Sequence, residues 1–133
     1  MDPSILVVGR TYYLVTFADV QQTMPGIEPM VYIGVDVFGP QEDNGAPKYY
    51  FQDTPSFSQF GMATEENAPV RFEGEEEDQK PEYYVSGHEA REIGWTIVDL
   101  PGAVEVVKKA AALASQLGYP KLKRTQGKWY RGK

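Results

Sequence analysis

Met30-Val31-Tyr32-Ile33-Gly34-Val35-Asp36-Val37-Phe38 is the stretch on which the fold turns. Val31, Ile33, Val35 and Val37 recur at period two, so an extended chain places them on one face. The opposite face carries Tyr32, Gly34, Asp36 and Phe38 and is only partly polar. A strand over residues 30–38 follows. On its N-terminal side, residues 9–18 contain Arg-Thr-Tyr-Tyr-Leu-Val-Thr-Phe. This run is dense in β-branched and aromatic residues, with Tyr13, Val15 and Phe17 sharing a face, and predicts another strand. Between the two, residues 21–29 hold Pro25-Gly26 and a second proline and read as a loop. On the C-terminal side, residues 39–47 are rich in Gly, Pro, Asn and Asp, which marks a turn. Residues 48–52 return as a third strand. Three strands joined by turn-rich connections predict an antiparallel meander, because parallel neighbours need long crossovers.

Residues 54–61 read as one or two helical turns, with Thr54 as N-cap, Pro55 at the first helical position and Gly61 as the stop. An acidic loop spans 64–82, centred on Glu73-Gly74-Glu75-Glu76-Glu77-Asp78, where like charges repel one another. Short strands are expected at 83–86 and 93–100. A helix follows, entered at Asp99 or Leu100 with Pro101 at its mouth. Its apolar stripe is Ala103, Val106, Val107, Ala110, Leu113, Ala114 and Leu117. Gly118 ends it and Pro120 prevents its resumption. The three alanines allow close packing on a flat or concave surface. The fold class is therefore α+β: an antiparallel, curved sheet packed by one C-terminal amphipathic helix, with one short helical turn near 54–61. An SH3-like partial barrel is one specific form of it.

The 133 residues match one domain, with a body over 1–120 and a tail over 121–133. An apolar fraction of 41% and an aromatic fraction of 13% supply a core. The absence of cysteine excludes disulfides, thiolate catalysis and cysteine-ligated zinc. Met1-Asp2-Pro3-Ser4 has no positive region, and the apolar run Ile5 to Val8 is too short for a signal core or a membrane span. A cytoplasmic protein without membrane attachment is expected. The net charge of −6 hides a separation. The tail holds six basic residues and no acid. Residues 1–120 hold all 19 acids against seven bases, a net of −12.

No motif carries a recognisable catalytic chemistry, and no catalytic residue, metal site or cofactor is expected. His88, the one histidine, lies between Gly87 and Glu89 and reads as a surface loop residue. Ser56, Ser58 and Ser86 are outside any nucleophile-elbow pattern. Glu42-Asp43-Asn44 lacks the alternating spacing of a calcium loop. Asp36 and Asp53, with Tyr32, Tyr49 and Gln52, are candidates to line a concave pocket, where two carboxylates would work as an acid/base pair. The competing assignment has Asp53 capping the Pro55 turn and Asp36 facing water.

These observations favour a non-catalytic protein-interaction module: an acidic body that binds a basic partner. In general character it is similar to bacterial immunity and inhibitor proteins. Acidic surfaces steer cationic partners at high rate. The expected contact residues are Glu73, Glu75, Glu76, Glu77 and Asp78, with Tyr83 and Tyr84 as aromatic anchors. One alternative is a small-molecule-binding protein or hydrolase using a cavity in the curved sheet. Another is nucleic-acid binding through tail residues Lys121, Lys123, Arg124, Lys128, Trp129 and Arg131, where cations meet phosphates and rings stack on bases. The negative body disfavours that second alternative.

Overall fold

β1 (Thr11–Phe17), β2 (Pro25–Val35) and β3 (Lys48–Asp53) pair antiparallel in chain order, as the expected meander. β5 (Tyr83–Glu89) adds antiparallel beside β3, and the two-residue β6 (Ile97–Val98) adds antiparallel beside β1. The short β4 (Val70–Phe72) lies parallel to β5, so part of the expected acidic loop is strand. The curved sheet has the order β4-β5-β3-β2-β1-β6. Three helices complete the α+β fold: α1 (Thr54–Phe60), α2 (Ala90–Thr96) and α3 (Leu100–Leu117). The computed structural model describes residues 1–39, 45–63, 70–72 and 83–118. No helix among the described residues is long and apolar enough to cross a membrane.

The middle strands carry a buried cluster on each face. On one face, Tyr12, Met30, Tyr32 and Phe51 form a buried cluster with Ile93 of α2 and Ile97 of β6. On the other face, Ile33, Tyr50, Tyr83 and Val85 pack with Ala63, and Phe60 of α1 lies edge-on to Tyr83. Register places the buried Val15 and Val31 on this second face too. α3 touches β1, β2 and β6, and its buried residues are Ala103, Ala110 and Ala114, the close-packing alanines of the expected stripe. Val107 and Leu117 of that stripe are instead exposed. Three small side chains let the helix approach so closely that only a narrow strip of it is covered.

The sequence expectation failed at four boundaries, each for a local reason. β2 begins at Pro25, although 21–29 reads as a loop. β3 ends at Asp53, opposite Met30, so residues 25–29 have β1 on one side and no described strand on the other. Pro25 and Pro29, which lack the N–H, are tolerated at such an edge. β2 stops at Val35 rather than running to Phe38. Asp36 turns left-handed there at φ 51°, its N–H donating to Lys48 O at 2.8 Å and its carboxylate accepting Lys48 N–H at 3.0 Å. Of the two caps weighed for α1, Asp53 rather than Thr54 is the one present: its carboxylate accepts Ser56 N–H at 3.0 Å and Thr54 is already helical. Most of the expected strand at 93–100 is α2. Glu92 reaches back to the N–H of Glu89 at 3.2 Å and nucleates a turn, and Ile93 alone fills the core.

Inside β2 the register shifts between Tyr32 and Gly34. Gly34 has φ 136°, and a Cβ there would meet Val37 Cγ1 at 2.5 Å. A bulge at this point bends the strand and deepens the sheet's curvature.

Gln52 ties the second face together. Fully buried, its amide donates to Ser56 Oγ and Gly61 O, both at 3.0 Å, and accepts Ala63 N–H at 2.8 Å. Gln52→Ala leaves these groups unsatisfied around a cavity and should cost about 3 kcal/mol in denaturant unfolding. At the β1–β2 turn, the Asp19 carboxylate accepts Thr23 O–H at 2.6 Å and the N–H groups of Thr23 and Met24. The Thr23 hydroxyl in particular holds its pKa below the ordinary carboxylate value. The depressed value means its contribution is complete above the unfolded pKa, about 4, and is lost as pH falls through the folded value. Asp19→Asn should therefore lower stability at neutral pH and lessen its decline in acid, read by thermal melts across pH.

Candidate functional site

The first face of the sheet is only half covered. α2 carries the chain from β5 at one side to β6 at the other, and with the N-terminal turn at Pro3–Ile5 it seals one end of this face. The other end stays open as a cleft of ≈ 280 Å³ lined by Leu14, Glu28, Met30, Phe51, Gln52, Asp53, Tyr84 and Ser86. Strand alternation explains most of this set. Leu14 and Glu28 are cross-strand partners, as are Met30 and Asp53, and Phe51 and Ser86, so these six share a face.

The floor is apolar and the charged groups are both acids. Glu28 has no lysine or arginine paired with it among the described residues, and no cation lines the cleft. Asp53 is more committed. Its carboxylate accepts Ser56 N–H and Ser56 O–H, which hold the start of α1, and Tyr84 N–H at 3.2 Å from β5. These bonds fix its position in the fold.

Behind Ser86 stands a polar chain that the sequence reading missed. His88 is not a surface loop residue. It lies on β5 opposite Tyr49, 7% exposed, with its ring edge-on to Phe51 at 5.6 Å. Ser86, two residues earlier on the same strand face, places its Oγ 2.9 Å from His88 Nε2. On the far side of the ring, Nδ1 lies 3.5 Å from Glu92 Oε2. That separation is longer than a hydrogen bond, and among the described residues Nδ1 has no hydrogen-bond partner. A buried ring nitrogen left unpaired costs about 1–3 kcal/mol. Among the described residues Glu92 is the acceptor beside it, and its side chain is half exposed. This favours the tautomer with the proton on Nδ1 facing Glu92, leaving Nε2 to accept from Ser86. Glu92 is itself steadied, since its other oxygen accepts the Glu89 N–H.

The expected pocket pair is broken up. Asp53 lines the cleft, but Asp36 binds the N–H of Lys48, at the opposite end of β3. Five residues of extended strand separate Lys48 from Asp53, roughly 17 Å, beyond the widest glycosidase carboxylate spacing of about 9.5 Å. Of the aromatic pair, Tyr84 is exposed at the cleft, whereas Tyr83 is buried in the opposite cluster. The remaining expected contact residues, 73–78 and 121–131, lie outside the described residues, as does the carboxylate group at 42–43. Among the described residues, no three His, Asp or Glu side chains converge as a metal site needs.

No family model matches the chain, and neither a curated protein nor a solved structure matches it significantly.

The two tyrosines should separate cleanly in denaturant unfolding. Tyr83→Ala removes a core ring and should cost about 3 kcal/mol. Tyr84→Ala should stay within about 0.5 kcal/mol of the parent.

Proposed function

We propose that this chain is a protein-recognition module whose cleft receives a lysine or arginine side chain from a basic partner. The carrying observation is the pairing of Glu28 and Asp53 with an apolar floor of Leu14, Met30 and Phe51, without a cation in the lining among the described residues. Long basic side chains have the matching form, an aliphatic stem with a charged head. Size supports the same reading. At ≈ 280 Å³ the cleft falls just under the range of ligand pockets, which starts at about 300 Å³. One inserted side chain suits it better than a cofactor. Tyr84 stands at the rim, where an amphipathic ring can act as an anchor.

The overall charge of −6 would draw such a partner in and speed encounter. An inhibitor or immunity-type role is the concrete form of this reading, in which the module covers a basic, phosphate-binding surface. The cysteine-free chain is compatible with a reducing, cytoplasmic setting.

The test is an NMR titration of the full chain with a lysine- and arginine-containing peptide at low and high salt. Shifts should concentrate at Leu14, Glu28 and Tyr84 and weaken with salt. Glu28→Gln, which leaves the α1 cap intact, should weaken binding about threefold, the scale of a partly exposed ion pair. Equal affinity of parent and variant, or shifts away from the cleft, would reject the proposal.

A further inference from the structure

The geometry points to a catalytic capability beyond recognition: Ser86 acts as a nucleophile toward small esters, with His88 as its general base and Glu92 as a positioning residue. Three observations on one face of β5 carry this. Among the described residues Ser86 is the only serine or threonine lining the cleft, so its hydroxyl meets both the ligand space and a base. Nε2 of His88 stands 2.9 Å from that hydroxyl, inside the range for direct proton transfer. The carboxylate of Glu92 lies behind the ring, 3.5 Å from Nδ1, where it stabilises the imidazolium formed when Nε2 takes the proton. The three side chains thus line up as hydroxyl, imidazole and carboxylate.

In the step itself, Ser86 Oγ forms a bond to the ester carbonyl carbon while its proton passes to His88 Nε2. The tetrahedral species collapses, the carbon–oxygen bond to the alcohol breaks, and the leaving alkoxide takes the proton from Nε2. Water then attacks the acyl-serine, giving its proton to His88. The acid departs and Ser86 recovers its hydrogen. The cleft selects the acyl group. Leu14, Met30 and Phe51 accept an apolar chain, and Glu28 and Asp53 disfavour an anionic one. Uncharged or cationic acyl esters are the substrate class.

The inference shares the cleft with the recognition reading but does not rest on it. Its test is covalent labelling of the full chain with an uncharged alkyl fluorophosphonate, which transfers phosphorus to an activated serine and releases fluoride. Intact mass and peptide mapping should show one adduct, on Ser86, and none in Ser86→Ala. Glu92 also caps α2 through the Glu89 N–H, an acceptor role that a glutamine oxygen retains, and circular dichroism checks the fold of each variant. Glu92→Gln should slow labelling on the order of tenfold and alter its pH profile, and Glu92→Asp should recover part of the rate. No adduct on the folded parent after hours at millimolar probe, an adduct elsewhere, or equal rates in parent and Glu92→Gln would overturn the proposal. Labelled Ser86 with a silent peptide titration, or the reverse, separates this proposal from the recognition reading.

Discussion

Phe51 is the contact around which the molecule is organised. Its ring, 1% exposed on the central β3, meets Tyr32 at 5.3 Å, Tyr12 at 6.4 Å and His88 at 5.6 Å. These partners come from β2, β1 and β5, so one side chain fixes the relative placement of the sheet's four main strands. Edge-on and tilted aromatic pairs add to the area they bury, because the positive rim of one ring meets the negative face of another. The same ring floors the cleft and backs the histidine. Core and site share this residue, so the cleft cannot loosen without disturbing the packing that defines the fold.

The helices follow from that arrangement. The aromatic cluster needs cover, and α2 provides it with one buried residue, Ile93. Seven residues are too few to cover the whole face. What α2 leaves open is the cleft. On the reverse face α1 and α3 divide the work, with the Gln52 amide joining α1 and the loop after it to the sheet. A polar side chain at that depth is costly unless every group is met, and here each one is.

Much of the scaffold was legible from local pattern. The meander, the cap and stop of α3 and the turn at Pro55 rest on period-two alternation and on Pro, Gly and Asp at fixed offsets, which act over a few residues. Residues 93–98 misled because Ile93, Ile97 and Val98 suit a strand by propensity, whereas the Glu89–Glu92 turn decides locally for helix. The site was harder to read. Glu28 and Ser86 meet only because β2 and β5 flank β3, a pairing that spans more than fifty residues of sequence. His88 has no recognisable motif around it in sequence, yet its side-chain contacts lie two residues before and four after it. That spacing becomes informative once a strand is known to pass into a helix at residue 90. Asp53 caps α1, one of the two roles its place before Thr54-Pro55 suggests, and it also borders the cleft.

The prolines at the start of β2 have a consequence for how copies of this chain meet. Residues 25–29 leave one flank of an extended segment without a neighbouring strand among the described residues. Such a flank normally invites another chain to continue the ladder, the first step toward fibrous aggregates. With Pro25 and Pro29 four residues apart and facing the same flank, two of its amide donors are missing, and Glu28 adds a charge beside them. An incoming strand would find carbonyls it could donate to but too few hydrogens in return. This flank beside the cleft is thus a poor template for a further strand.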